Sequence, residues 1–133
     1  MKSSRATLAG IAVLAPVALV ACTQERPSER PATAPAAKVI GKAENCISLT
    51  SFSSTRIRDD WTINFEGPGK KVWRNTLPNR CAGLRAADKF TYKTSLSQLC
   101  NTDIIYVLQD YGGTLQRGAG CGLGKFVPVE LEK

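Results

Sequence analysis

The alternation of apolar and polar positions divides the chain into three regions with different patterns. The run from Leu8 to Ala21 is almost wholly apolar, whereas residues 23–43 are rich in Pro, Ala, Ser and Thr without apolar periodicity. From about residue 44 onward, short stretches of β-branched and aromatic residues are separated by turn residues. The third region therefore has the pattern that is typical of a small β domain.

Several stretches of the third region predict strands, because they alternate or cluster β-branched and aromatic residues. The turn sequence at 67–70 separates two of them and predicts a β-hairpin of 61–66 with 71–77. The predicted strands are 46–52, 61–65, 71–77, 89–94, 103–109 and 120–131.

Helical patterns are confined to two short stretches, 82–89 and 95–100. Pro128 cannot donate a ladder hydrogen bond, so it favours an edge position for the last strand. The sequence therefore predicts a mainly β fold, either a small β-barrel or a β-sandwich, with one or two short helices.

The N-terminus has the order of features that a secretory signal peptide shows. Lys2 and Arg5 precede the apolar run, which is interrupted by Pro16 and is too short to favour a permanent membrane span. An ordinary buried helix fits this run poorly, because no polar face exists at helical spacing. We therefore interpret residues 1–21 as a signal peptide.

The end of the apolar run, Leu19-Val20-Ala21-Cys22, resembles the bacterial lipobox, in which small residues precede a cysteine that is lipidated before the signal is removed. The alternative is a plain signal peptide that leaves Cys22 as an odd free thiol in an oxidising compartment. We favour lipidation, since several acyl chains on Cys22 would hold the protein firmly on a membrane. Thr23 stands where Asp would favour the inner membrane, so the outer membrane is expected, with the domain facing the periplasm.

The segment that follows the cleavage site has the composition of a linker. A Pro- and Ala-rich segment without apolar periodicity buries too little surface to offset the entropy of ordering it. We therefore expect residues 22–43 to be the lipidated cysteine and a flexible tether, and residues 44–133 to be the β-rich globular domain.

Four cysteines lie in the predicted domain, and an even number in a small exported domain indicates two disulfides. Zinc is the weaker alternative, because no two of these cysteines lie within four residues and the chain has no histidine. Sequence leaves three pairings open. We favour Cys46–Cys121, which would tie the two ends of the domain, with Cys81–Cys100 closing its middle.

The chain is moderately basic, and its charge limits the classes of partner that are expected. The formal net charge of +7 falls to +5 without residues 1–21, which hold two cations and no acid. Export disfavours nucleic acid, so a partner that recognises the charge would be an envelope protein, an anionic glycan or an anionic lipid headgroup. We favour the simpler interpretation, in which the charge serves solubility alone.

The absence of histidine excludes the Ser-His-Asp and Cys-His nucleophiles and imidazole metal ligands. A hydrolase that uses Asp59 or Asp60 remains as one alternative, because these are the only adjacent carboxylates. We favour a structural role for the pair, since Asp before a β-branched and aromatic run is typical of a turn that leads into a strand. The sequence therefore predicts no enzyme, no metal site and no cofactor.

Basic and aromatic residues are interleaved in residues 56–93, which hold nine Lys or Arg and four acids. On one exposed β face they would suit an anionic glycan or a lipid headgroup. We favour the other interpretation, in which the aromatic residues point inward and the charges are solvated, as strand alternation would produce. The candidate ligand-binding residues are Arg56, Arg58, Arg74 and Arg80, and the interleaved aromatic residues are Trp61, Trp73, Phe90 and Tyr92.

The order Cys-Ile, Asp-Asp before a strand, Leu-Pro-x-x-Cys-x-Gly-Leu and Leu-Cys-x-x-Asp, with the tail "CGLGKF", resembles an uncharacterised family of small exported proteobacterial proteins. That family is defined only as a domain of unknown function. The resemblance covers nearly all of residues 44–133 and implies a compact β-rich domain with no assigned activity. Many members carry a plain signal peptide, so the lipobox is inferred from this chain alone.

Together these patterns predict a membrane-anchored envelope lipoprotein with a non-enzymatic binding or structural role. A module that binds an anionic glycan or lipid headgroup through its basic and aromatic face is the first alternative, and a carboxylate-dependent hydrolase is the second.

Overall fold

The computed structural model of the protein describes residues 33–132. The predicted signal peptide, Cys22 and residues 23–32 of the predicted tether lie outside the described residues. Over residues 33–132, no helix is both long enough and apolar enough to span a membrane.

The described chain is built from short strands and one helical turn, as the sequence pattern predicts. The elements are β1 (Ala37–Val39), β2 (Cys46–Ser48), β3 (Ser54–Asp59), β4 (Thr62–Glu66), β5 (Val72–Thr76), α1 (Leu84–Ala87), β6 (Phe90–Tyr92), β7 (Gln98–Cys100), β8 (Ile104–Tyr111), β9 (Thr114–Gly122) and β10 (Phe126–Leu131).

These strands form three antiparallel sheets. The largest has the order β1-β10-β5-β4-β3, the second has the order β6-β8-β9, and β2 pairs with β7. The sheets do not close on themselves, so the architecture is sandwich-like rather than a barrel. The mainly β fold class is thereby confirmed, and of the two predicted architectures the sandwich is the one observed.

The core lies between the five-stranded and three-stranded sheets, with Phe65 of β4 among its fully buried residues. The Phe65 ring meets the rings of Phe52 and Phe126 edge-on, with centroids 5.1 and 5.3 Å apart. Ile105 and Val107 of β8 are fully buried on the opposite side. Strand alternation explains this arrangement, because every second residue of β8 points inward.

Two disulfides form as predicted, but the favoured pairing is wrong. The bonds are Cys46–Cys100 and Cys81–Cys121. Cys46 and Cys100 lie directly opposite each other where β2 pairs with β7, and Cys121 lies on β9. The predicted Cys46–Cys121 bond was meant to tie the ends of the domain together. Strand pairing does so instead, because β1 pairs with β10 and Glu44 bridges to Phe126.

The ordered domain begins before residue 44, which corrects the predicted boundary of the tether. Residues 37–39 form β1, an edge strand that pairs with the end of β10. Thr33 then reaches the opposite edge of the same sheet, where its hydroxyl donates to Asp59 Oδ2 at the end of β3 (3.0 Å). Residues 33–36 therefore join the two edges of the five-stranded sheet.

Several other elements differ from the sequence pattern. Residues 98–100 of the predicted second helix form β7, and the predicted last strand is divided between β9 and β10. The prediction that Pro128 marks an edge strand is wrong, because β10 lies between β1 and β5. The Pro128 carbonyl accepts from the N–H of Ile40, just after β1 ends, so the missing N–H falls where the β1 ladder stops.

Candidate anion-binding groove

Asp59 and Asp60 stand at the hairpin turn that joins β3 to β4. Asp59 Oδ1 accepts from the backbone N–H of Trp61 (2.8 Å), which is a local turn hydrogen bond of the kind that short acidic side chains make. Asp59 is 6% exposed, and its second oxygen accepts from Thr33. The predicted turn is thus confirmed. It leads into β4 as expected, and β3 precedes it, so it is the turn of a hairpin.

Asp60 organises the chain that follows β5. Its Oδ2 accepts from Nε and Nη2 of Arg80 (3.1 and 2.8 Å), and its Oδ1 accepts from the backbone N–H of Arg85 (2.9 Å). The Asp60 carbonyl also accepts from the N–H of Cys81 (2.8 Å). One residue of the turn therefore fixes residues 80–85, and with them the start of α1, beside β3.

This placement forms a groove of about 610 Å³ along β3, which is an edge strand of its sheet. Leu108 N–H donates to the Lys89 carbonyl (3.0 Å), which ties the α1–β6 connection to β8 on the other side of the groove. Four of the ten lining residues are cations and one is an acid. The lining residues are Ser54, Thr55, Arg56, Ile57, Arg58, Arg85, Asp88, Lys89, Phe90 and Leu108.

The cations of the groove are only partly neutralised. Arg56 Nε pairs with Glu66 Oε1 at 2.8 Å, and Arg85 Nη1 lies 3.7 Å from Asp88 Oδ1 with both side chains well exposed. Among the described residues, Lys89 has no ion-pair partner. Exposed pairs of this kind contribute little and exchange readily with other partners. The groove therefore keeps a positive potential that an anionic ligand can use.

A polar row continues from the groove across the outer face of the five-stranded sheet. Arg56, Asn64 and Arg74 are directly opposite one another on β3, β4 and β5, so their side chains share a face. Arg74 Nε donates to Asn64 Oδ1 (3.1 Å). Burial lowers the pKa of Arg74, the nearby charge of Arg58 lowers it further, and Asp59 opposes the shift.

The four predicted ligand-binding residues do not all line one groove. Arg56 and Arg58 line it, and Arg80 is bound to Asp60 at the turn. Arg74 lies on the outer face, where the charge of Arg58 acts on it. The sequence interpretation missed Arg85 and Lys89 as groove residues. They belong to the same basic segment, but the long-range contacts of residues 80–85 with Asp60 bring them to β3.

The interleaved aromatic residues take different positions. Trp73 is 8% exposed and packs in the core, as the alternation of the strand predicts. Phe90 is half-buried and lines the groove. The basic groove therefore has one aromatic ring on its wall rather than an aromatic platform.

Residues 33–132 hold no cluster of three or more potential metal ligands. Comparisons with family models, curated proteins and solved structures each found no match. The resemblance to a family of small exported proteins stays a prediction.

Proposed function

We propose that the protein is an envelope lipoprotein, held by acyl chains on Cys22, whose domain binds an anionic glycan in the groove along β3. The observation that carries the ligand class is the lining of that groove, where four cations face a single acid. Attachment to the periplasmic side of the outer membrane follows from the lipobox-like sequence and from Thr23. No catalytic step forms part of the proposal.

The lining of the groove favours a glycan over a lipid headgroup. Ser54 and Thr55 supply hydroxyl groups, and Phe90 supplies a ring against which a sugar can pack. None of the large apolar side chains that are exposed within residues 33–132 lines the groove, so its lining offers no exposed apolar insertion point for acyl chains. The exposed set is Val39, Ile40, Leu96, Ile104, Tyr111 and Leu115.

A binding role is better supported than hydrolysis by the adjacent carboxylates. Asp59 accepts hydrogen bonds on both oxygens from Thr33 and Trp61, and Asp60 accepts on both oxygens from Arg80 and Arg85. A general acid or base needs a free path to a substrate proton. These carboxylates stabilise the turn instead.

Fluorescence anisotropy with the full-length protein in detergent tests the proposal, with labelled dextran sulfate as probe and neutral dextran as reference. The variant Arg85→Gln/Lys89→Gln removes two groove cations, and we expect it to weaken binding about tenfold, or about 1.4 kcal/mol. The matched control Lys38→Gln/Lys70→Gln removes two exposed cations that do not line this groove, so it should change the affinity less than about twofold.

Two outcomes would overturn this assignment. Equal losses in the groove variant and the control would mean that binding follows net charge rather than the groove. Tighter binding to phosphatidylglycerol vesicles than to dextran sulfate, lost in the groove variant, would make the ligand a lipid headgroup.

A further inference from the structure

Three nitrogen donors on the outer face of the five-stranded sheet are buried without an acceptor. Across residues 33–132, Arg58 Nε, Asn64 Nδ2 and Arg74 Nη2 make no hydrogen bond. Asn64 is only 1% exposed, and a buried donor without a partner typically costs about 1–3 kcal/mol. Native proteins keep few such groups, so three in one place require an explanation.

Two of these donors lie next to each other on neighbouring strands, and the third is close enough for its charge to act on one of them. Asn64 and Arg74 are paired in register, and the Asn64 amide oxygen already accepts from Arg74 Nε. The amide nitrogen is therefore left as a donor beside a guanidinium. Arg58 occupies a bulge in β3, and its charge acts on Arg74.

The cluster offers donors and positive charge but lacks an acceptor. Two guanidinium groups close together repel each other, and partial burial increases the cost of each charge. Asp59 offsets part of this repulsion, but both of its oxygens already accept hydrogen bonds from Thr33 and Trp61. A ligand that satisfies these three donor atoms must therefore supply acceptor oxygens and negative charge.

We infer that Arg58, Asn64 and Arg74 form a subsite for one phosphate-type oxyanion group, which adjoins the groove at Arg58. Arg58 belongs both to the groove lining and to the cluster, so a ligand in the groove lies beside this subsite. A phosphate group has several acceptor oxygens and matches guanidinium geometry. The inference rests on the proposed anionic ligand and adds that the ligand carries phosphate.

Nitrogen-15 NMR of the full-length protein in detergent tests this assignment, with inorganic phosphate as the probe and chloride at equal ionic strength as the reference. We expect saturable shifts of the Asn64 side-chain amide and of the Nε signals of Arg58 and Arg74 with phosphate only. The Nε signal of Arg80, which is bound to Asp60, is the internal control and should stay in place.

The variant Asn64→Asp keeps the size and the acceptor for Arg74 while it replaces the unsatisfied donor with a second acceptor. We expect it to abolish the phosphate-dependent shifts and to raise Tm, because an internal carboxylate then occupies the place of the anion. Unchanged shifts in this variant, or linear shifts that Arg80 shares, would overturn the subsite.

Two further measurements distinguish a lipid phosphate from a glycan phosphate, and binding at the subsite from binding in the groove. Bicelles with phosphatidylglycerol that shift the three signals, where free phosphate does not, would assign the group to a lipid and overturn a glycan phosphate. The variant Arg85→Gln/Lys89→Gln should bind dextran sulfate about tenfold more weakly and keep the phosphate shifts. If the wild type binds dextran sulfate but shows no phosphate-dependent shifts, the subsite alone is overturned. If it shows the shifts but does not bind dextran sulfate, the groove alone is overturned.

Discussion

Asp59 and Asp60 are adjacent carboxylates that stabilise different parts of the molecule. Asp59 accepts hydrogen bonds from Thr33 and from the Trp61 N–H, and so stabilises the turn. Asp60 accepts hydrogen bonds from Arg80 and Arg85, and so fixes residues 80–85. The side chain of Asp60 is 16% exposed, but that of its ion-pair partner Arg80 is 59% exposed. The two members of this ion pair should therefore differ in what their removal costs.

Replacing Asp60 should destabilise the domain far more than replacing Arg80. Asp60→Ala removes the acceptor of the Arg85 N–H and of two guanidinium hydrogen bonds, so we expect a loss of about 2–4 kcal/mol in the free energy of unfolding. Arg80→Ala removes one exposed partner, which typically costs about 0–1 kcal/mol. Urea denaturation at neutral pH measures both values.

Asp60→Asn is the matched control, because it keeps an acceptor for the Arg85 N–H and removes the charge. Its loss should fall between those of the two alanine variants. Equal losses for Asp60→Ala and Arg80→Ala would show that the ion pair, rather than the bond to Arg85, fixes the start of α1.

At the level of elements, the two disulfides close loops of similar size in different surroundings. The bonded residues are 54 positions apart in Cys46–Cys100 and 40 positions apart in Cys81–Cys121. Chain entropy alone assigns each bond about 4 kcal/mol. Cys81 is fully buried in the core, whereas Cys46 lies on the short strand β2 outside the buried cluster.

Removing the Cys81–Cys121 bond should therefore cost more than removing the Cys46–Cys100 bond. The variant Cys81→Ala/Cys121→Ala loses the cross-link and also leaves a small cavity, which adds about 1 kcal/mol. Cys46→Ala/Cys100→Ala is the matched control that loses the cross-link alone. Thermal unfolding without reductant compares the two, and a lower Tm for the control would contradict this order.

Pairing that is local in sequence did not by itself make an element predictable. β3 pairs with β4 across a tight turn but was absent from the predicted strands, whereas the residues of β10 were predicted as strand although its partners are distant. The β4–β5 hairpin follows from alternation and a local turn, and it forms as expected. β1 was assigned to the tether because its pairing with β10 joins residues almost a whole domain apart, and Val39 is 60% exposed. Short exposed edge strands carry little apolar signal of their own.

The candidate site was likewise predicted from the sequence only in part. The basic character of residues 56–93 is visible in the sequence, and Arg56 and Arg58 do line the groove. Arg85 and Lys89 join them through the contact of Arg85 with Asp60, which spans 25 positions. The unsatisfied amide of Asn64 could not be foreseen, since a lone Asn in a strand has no signature that separates it from a solvated one.

At the scale of the whole molecule, the chain that follows the proposed anchor, Cys22, enters the described domain near the strand that lines the proposed groove. The segment after Cys22 leads to Thr33, whose hydroxyl binds Asp59 beside the turn, and then to β1 at the far edge of the sheet. The path from the anchor therefore reaches the sheet at the end of β3, the strand that lines the groove.

Lipidation of Cys22 is the remaining prediction at this scale. Cells that express the full chain and are fed radiolabelled palmitate should incorporate label into the wild-type protein and not into Cys22→Ala, because the thioether forms on that thiol. Several acyl chains contribute about 0.8 kcal/mol per buried methylene, so the labelled protein should stay in the membrane fraction after a high-salt wash. Salt removes electrostatic attachment, which distinguishes the lipid anchor from adsorption through the basic groove.

The groove variant Arg85→Gln/Lys89→Gln is the control for that fractionation. It should take up label and remain in the membrane fraction as the wild type does. Cys22→Ala should take up no label and should keep its signal peptide, so it should migrate as a larger species on a denaturing gel. A wild-type protein without label, or a Cys22→Ala variant that still takes up label, would show that Cys22 is not the lipidated residue.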